Sequence, residues 1–325
     1  LLNKTASATV ENTFNVKLYT GNRPSNVTVN TFGFSPDLVI IKDRDNADAW
    51  SVLDTTRGQN LIGTNSNGAQ EDFSGGFEFT SGGFIVKNTG QANTNGANLV
   101  SWGWYANGGT TSSNTEGSGT STVQVNTDAG FSIAKMTFAG EGSIGHGLGV
   151  APDLVILKGL TAAEDWQIYH SSLGTGKYMS FSRNSGNEAV TTRADSFSAV
   201  SSTIVTNNWT GSSVDWIMYS FVSIAGYSKI SSYTGTGSAL SITGLGFQPS
   251  FILLKCADST EQWYIFDSAR GANKFLHPNL NNAEGTDATT RLTSFDSDGF
   301  SLGTDGAVNA SGDVYIYAAF KINVS

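Results

Sequence analysis

The chain has 325 residues, a net charge of −9 and only 14% charged residues. The acidic balance argues against a nucleic-acid partner, because phosphate binding needs a basic face. No apolar run approaches the ~18 residues of a membrane helix, so membrane insertion is not expected. With 38 glycines, and with Ser, Thr and Asn between short apolar runs, the composition favours an all-β protein with many turns.

The first third of the chain predicts a series of short strands. An alternating segment, FNVKLYT, begins at Phe14. Pro36 fixes φ and bars a helix, so it belongs at the entrance of the buried, β-branched strand LVII. Trp50 opens the next strand, WSVLD, and Phe79 precedes the short strand in GFIVKN. The aromatic segment LVSWGWYA closes the series.

This frame occurs three times in the chain. The segment GFSPDLVIIK recurs as GVAPDLVILK and GFQPSFILLK. In every copy a Trp follows the Lys by eight residues, and a Gly follows the Trp by eight. We expect the three copies to superpose, with Trp50, Trp166 and Trp263 at equivalent, buried positions.

The copies span residues 1–109, 110–226 and 227–325 and are called copy 1, copy 2 and copy 3. The stretch 107–122 has the composition of a linker. Only Ala225 and Gly226 separate copy 2 from copy 3, which predicts close packing between those two. The chain starts with Leu and shows no signal peptide, so we expect a fragment or a processed product.

Each copy has the dimensions of a β-sandwich. About six or seven apolar runs fall within ~100 residues, and no stretch shows a sustained helical period. The predicted fold is therefore all-β, with three tandem antiparallel β-sandwich domains. The pattern leaves jelly-roll and immunoglobulin-like strand orders open.

The titratable residues do not form a repeated pattern. His146, His170 and His277 fall at three different places in the repeat, which excludes a repeated active site. We also predict that these histidines do not share a site. Cys256, the single cysteine, excludes an intramolecular disulfide and is expected to be buried. No catalytic, cofactor-binding or metal-binding residue is predicted, and no enzyme is expected.

Two turns combine an Asp and an Arg, in DTTRG from Asp54 and DSARG from Asp267. They are either ligand sites or turns in which the Asp accepts backbone amides and the Gly takes a positive φ. Copy 2 has HSSLG there and keeps only the Gly, which favours the turn. The DSDG segment from Asp296 resembles a calcium loop, but the required spacing of oxygen ligands is missing, so a turn is again favoured.

Four aromatic residues outside the frame are candidate contacts with a partner: Trp102, Trp209, Tyr178 and Phe181. Copy 3 has Ala318 where copy 1 has Trp102, so this position is less constrained than the frame. Exposed aromatics on β-sandwiches also stack against sugars. These residues predict a contact either with a glycan or with a second molecule of the same chain. For the contact with a second molecule, the predicted surface lies in copy 2.

Copy 3 resembles a domain that recurs in predicted structural proteins of marine bacteriophages, including cyanobacterial phages. The resemblance rests on GFQPSFILLK, WYIFDSARGANKFL, TTRLTSFDSDGFSLG and GDVYIYAAFK. Copy 1 matches through GFSPDLVIIK and SVLDTTRG, and copy 2 departs most because it lacks the Arg-Gly turn. The resemblance implies a virion component, often in a tail fibre or another appendage, and carries over no catalytic residue.

The expected function is that of a non-enzymatic structural protein on the surface of a phage particle. A tail fibre, a spike or another appendage involved in host attachment fits first. The expected partners are other virion proteins, a second copy of the chain and a host surface glycan. A head-decorating or capsid-stabilising protein is the nearest alternative. A carbohydrate-binding or adhesin module of a bacterial surface protein is another, and a hydrolase is the weakest.

Overall fold

A computed structural model describes residues 10–88, 90–287 and 289–323, and it is built almost entirely of antiparallel strands. Copy 1 contains β1 Phe14–Thr20, β2 Val27–Val29, β3 Leu38–Asp43, β4 Ser51–Asp54, β5 Asn60–Leu61, β6 Glu71–Asp72, β7 Phe77–Thr80, β8 Gly83–Val86 and β9 Asn98–Trp104. Copy 2 contains β10 Ser112–Asn114, β11 Ser121–Asn126, β12 Phe131–Gly145, β13 Leu154–Gly159, β14 Gln167–His170, β15 Lys177–Tyr178, β16 Thr191–Thr192, β17 Ala199–Val200 and β18 Ile204–Phe221. Copy 3 contains β19 Ser228–Thr234, β20 Leu240–Thr243, β21 Phe251–Cys256, β22 Tyr264–Asp267, β23 Lys274–Phe275, β24 Gly285–Thr286, β25 Leu292–Asp296, β26 Gly299–Leu302 and β27 Val314–Phe320.

One four-stranded path occurs in every copy. Its order is β1-β9-β3-β4 in copy 1 and β19-β27-β21-β22 in copy 3. Copy 2 has the same path, β12-β18-β13-β14, within a seven-stranded sheet. The strand that follows the frame proline lies inside the path. In copy 1 this strand is β3, which begins directly after Pro36 and Asp37 and is paired on both sides. The proline therefore stands at a strand entrance, as the sequence predicts.

Copies 1 and 3 each have a smaller three-stranded sheet as well. It has the order β2-β8-β7 in copy 1 and β20-β26-β25 in copy 3. In copy 2 the strands β12 and β18 are 15 and 18 residues long, and both belong to the one seven-stranded sheet. Their pairing shifts between Phe138 and Gly140, which marks a bulge or irregularity in the pair.

The predicted linker at 107–122 is partly structured, which corrects that expectation. Residues Ser112–Asn114 pair with Ser121–Asn126, and the latter strand pairs with β12. Gln124 is fully buried, and its amide donates to the hydroxyls of Thr55 and Thr56 in copy 1 at 2.8 Å each. The composition of this stretch did not indicate a hairpin, because the residues of the hairpin are mostly small and polar.

The central strand of each copy separates two cores. In β3, Leu38 and Ile40 face a core shared by all three copies, while Val39 and Ile41 face a core inside copy 1. This alternation is the two-residue period of a strand that is covered on both faces. Copies 2 and 3 likewise each have a core of their own and contribute to the shared one.

The frame tryptophans lie in the shared core. Trp50, Trp166 and Trp263 immediately precede β4, β14 and β22, and their exposed fractions are 0%, 1% and 2%. The expectation that they are buried is confirmed. The frame glycines that follow, Gly58, Gly174 and Gly271, have φ of +72°, +82° and +99°, so the turn that the sequence predicts is also confirmed.

Helices are short and rare among the described residues. A four-residue α-helix, α1, spans Gly306–Asn309 and is capped by the Asp305 carboxylate, which accepts from the amide of Ala307. A single 3-10 turn spans Arg183–Gly186. Within the described part of the chain, no helix has the length and apolar character needed to cross a membrane.

Candidate functional site

Three aromatic rings mark the point where the copies meet. Trp104, Phe221 and Phe320 occupy equivalent positions near the ends of the closing strands β9, β18 and β27. Their ring centroids form a triangle with sides of 6.1, 5.8 and 5.5 Å. Each copy therefore presents the same edge to a common axis.

Two sets of equivalent hydrogen bonds join neighbouring copies in a closed cycle. The indole N–H groups of Trp50, Trp166 and Trp263 donate to the carbonyls of Leu280, Gly63 and Ser180, respectively, at 2.8, 2.9 and 2.9 Å. The amides of Gln70, Val190 and Glu284 donate to the carbonyls of Leu160, Ala257 and Arg44, respectively, at 2.8, 2.7 and 2.8 Å. Copy 1 thus contacts copy 2, copy 2 contacts copy 3, and copy 3 contacts copy 1.

The DTTRG turn lies at the junction between copies 1 and 2. The carboxylate of Asp54 accepts from the amide of Arg57 at 2.8 Å and pairs with its guanidinium, and both side chains are fully buried. The hydroxyl of Tyr219, in copy 2, donates to the same carboxylate at 2.7 Å. Burial raises the pKa of Tyr219 well above 10, so this group stays a hydrogen-bond donor.

The DSARG turn has the same geometry at the junction between copies 3 and 1. Asp267 pairs with Arg270, and the indole N–H of Trp102 donates to the Asp267 carboxylate at 3.2 Å. Glu284 bridges Arg270 to Arg44 of copy 1, which donates to it through two nitrogens at 2.8 Å each. Burial alone would raise the pKa of Glu284, but the bonds and charges of these two arginines lower it.

At the third junction the equivalent residue is His170. Its Nδ1 accepts from the amide of Ser172 at 3.2 Å, so Nε2 carries the hydrogen that it donates to the carbonyl of Tyr317 in copy 3, also at 3.2 Å. At the position of Trp102 and Tyr219, copy 3 has Ala318, which has no polar side chain. The backbone carbonyl of the adjacent residue, Tyr317, accepts the hydrogen bond instead. Burial lowers the pKa of His170 to about 4, against the smaller opposing effects of the Tyr317 carbonyl and Asp153.

These three turns hold neighbouring copies together. Each places one polar side chain of one copy against the closing strand of the next. A buried donor or acceptor that loses its partner costs ~1–3 kcal/mol, so an arrangement of the copies that breaks these contacts is penalised. The arrangement can therefore fix how the copies sit against one another.

The other two histidines make separate local contacts. His146 donates to the carbonyl of Ser201 and accepts from the amide of Leu148, each at 3.1 Å. His277 bonds to the carbonyl of Trp263 at 2.8 Å through Nδ1. None of the three histidines has another as a partner. Across residues 10–88, 90–287 and 289–323, no group of three or more His, Cys, Asp or Glu side chains could hold a metal ion.

The DSDG segment forms a turn. Asp296 accepts from the hydroxyls of Ser294 and Ser301 at 2.6 Å each, and Asp298 accepts from the amides of Gly244 and Gly246. Both carboxylates thus bond to neighbouring strands, as the turn interpretation requires. Cys256 is fully buried, which confirms that expectation.

The frame lysines form a set that sequence reasoning missed. Lys42, Lys158 and Lys255 are almost completely buried. Among the described residues, the partners of each ammonium are backbone carbonyls, including the carbonyl of the next residue. Burial lowers the pKa of each to about 8, although nearby carboxylates act in the opposite direction. The sequence contains one signal that could have identified these buried lysines: a Lys stands at the same place after an apolar strand in all three copies.

The structure corrects most of the predicted partner contacts. Trp102, Tyr178 and Phe181 are buried inside this chain instead of lying on its surface. Trp102 bonds across a junction, and the ring of Phe181 lies 4.9 Å from that of Trp263 in copy 3. Tyr178 belongs to the core of copy 2. The backbone of Trp209 pairs with Gly140 in the long strands, and its side chain lies outside the described part.

Comparison with known families gives one match. No curated protein resembles the chain. A family model for a domain of unknown function, DUF7483, matches residues 10–323. The match covers nearly all of the three copies, including the junctions between them. The chain belongs to the DUF7483 family.

Proposed function

We propose that the three copies are β-sandwich domains, spanning 1–109, 110–226 and 227–325, which close into a ring about one axis. We further propose that the chain is a non-enzymatic structural protein of a bacteriophage particle, in a fibre, a spike or another surface appendage that takes part in host attachment.

One observation carries the proposal. The polar side chains at the equivalent positions of the three repeats, Asp54, His170 and Asp267, are buried between copies and engaged there. A catalytic site needs its acid, base or nucleophile to reach a substrate. Here the repeated polar positions serve contact between domains, which is the task of a rigid building block.

The phage setting is supported by the resemblance of copies 1 and 3 to virion domains and by the ring itself. Appendages are usually symmetric oligomers, and a ring with approximate threefold symmetry suits such an axis. Other virion proteins, a second copy of the chain and a host surface glycan are the proposed partners. In the described part of the chain the exposed large hydrophobic residues are Leu18 and Val150. Contacts with these partners should therefore be largely polar.

Electron microscopy of labelled particles tests the proposal. Particles of the phage that encodes the chain are incubated with gold-labelled antibody against it and imaged in negative stain. Label on a fibre, spike or baseplate is the expected result. Label on the capsid would support a head-decorating protein instead. Label on the host envelope with none on particles would refute the virion assignment and favour a bacterial adhesin.

A further inference from the structure

An apolar cavity lies at the centre of the ring. Its volume is about 60 Å³, and all three copies contribute to its wall. The aromatic triangle of Trp104, Phe221 and Phe320 borders one part of the cavity. The equivalent residues Thr64, Phe181 and Pro278 border another.

Part of the cavity wall comes from the central strand of each copy, β3, β13 and β21. Ile40 and Ile156 hold the same position in β3 and β13, and each is the one residue of its strand that is not fully buried. Leu253, at that position in β21, is 7% exposed. These side chains point into the shared core, where only apolar surface borders the cavity. The lining gives water too few polar partners to favour its entry.

Thr64 lines the cavity, but its buried hydroxyl presents no polar surface to it, so a guest meets only apolar atoms.

We propose that the cavity is a binding site for a small apolar atom or molecule, smaller than benzene. An apolar cavity of ~150 Å³ stays dry and binds benzene or xenon, whereas a single water needs only ~10–15 Å³. The present volume of about 60 Å³ lies between these limits and suits a xenon atom. The inference does not depend on the proposed role in a virion.

Xenon is a suitable probe for the full chain. Crystals under xenon pressure should show xenon on the axis beside Ile156, and the 129Xe NMR shift should saturate with protein concentration. The variant Ile156→Phe, which fills the cavity, should lose both signals, and Ile40→Phe provides a second filling variant if the first does not fold. The control Leu18→Phe makes a small-to-large change at an exposed residue and should bind xenon as the unmodified chain does.

Absence of xenon from the axis of the unmodified chain, ordered water in the cavity, or equal xenon binding by a folded Phe variant would overturn the proposal.

Discussion

Acid should weaken the junction between copies 2 and 3 through His170. In the folded chain burial disfavours the charged imidazolium, and its Nδ1 accepts from the Ser172 amide, so a proton added there would face an N–H group. The unfolded chain has no such restriction and takes up the proton near the ordinary pKa of 6.5, whereas the folded chain does so only near 4. Stability is therefore complete above pH 6.5 and is lost progressively as the pH falls from 6.5 to 4.

The size of the effect follows from the two pKa values. At pH 5 almost all unfolded chains carry the proton on His170 and few folded chains do. The difference corresponds to about 2 kcal/mol of unfolding free energy. For a chain of this length, that lowers the midpoint of thermal unfolding by roughly 3 °C.

The measurement compares the unmodified chain with His170→Asn. The Asn side chain can still accept from the Ser172 amide but does not titrate. Urea unfolding and thermal unfolding are recorded at pH 7.5 and pH 5.0. Other groups also titrate in this range, including His146 and His277, but they are present in both proteins. The unmodified chain should lose about 2 kcal/mol more than the variant between the two pH values.

Ser172→Ala serves as the matched control, since it alters the same turn without removing a titrating group. It should show the pH dependence of the unmodified chain. If His170→Asn lost as much stability on acidification as the unmodified chain, His170 would not be held neutral at the junction, and the reasoning would be wrong.

Three further predictions concern the junctions. Trp166→Ala should lower the free energy of unfolding by ~3–5 kcal/mol, and Trp166→Phe by ~1–3 kcal/mol because the Gly63 carbonyl loses its donor; an unchanged urea midpoint for Trp166→Phe would show that the indole bond contributes nothing. Tyr219→Phe should cost ~1.5–3 kcal/mol through the lost bond to Asp54, and an unchanged urea midpoint would contradict this. A chain that ends at residue 226 exposes the shared core and should bind a hydrophobic dye or aggregate; a soluble monomer with the thermal midpoint of the full chain would refute the closed ring.

The repeat frame predicts strands and burial well because its signals are local. Pro36 and the apolar run that follows it specify a strand covered on both faces, and Trp50 beside an alternating strand indicates a core position. Both expectations hold in the structure. The partner of Trp50 could not be predicted, since Leu280 lies 230 residues away and nothing local connects the two.

The residues at the junctions could not be recognised from the sequence because they differ between the copies. Trp102, Tyr219 and Ala318 occupy equivalent positions, and that variation suggested an exposed surface. In the structure Trp102 and Tyr219 bond to Asp267 and Asp54 of the neighbouring copies, whereas His170 bonds to the backbone of Tyr317, next to Ala318. The variation at this position therefore reflects a different contact at each junction, and only coordinates show which residues meet.

The different chemistry of the three junctions has an evolutionary consequence. In a homotrimer a single substitution appears at every interface at once, so the two sides of an interface must change in ways that suit all three. Covalent linkage of the copies removes that restriction, because each interface is encoded by its own codons. One junction could replace an aspartate with His170 while the other two kept their Asp–Arg pairs. A chain built in this way can specialise one sector of the ring without disturbing its neighbours.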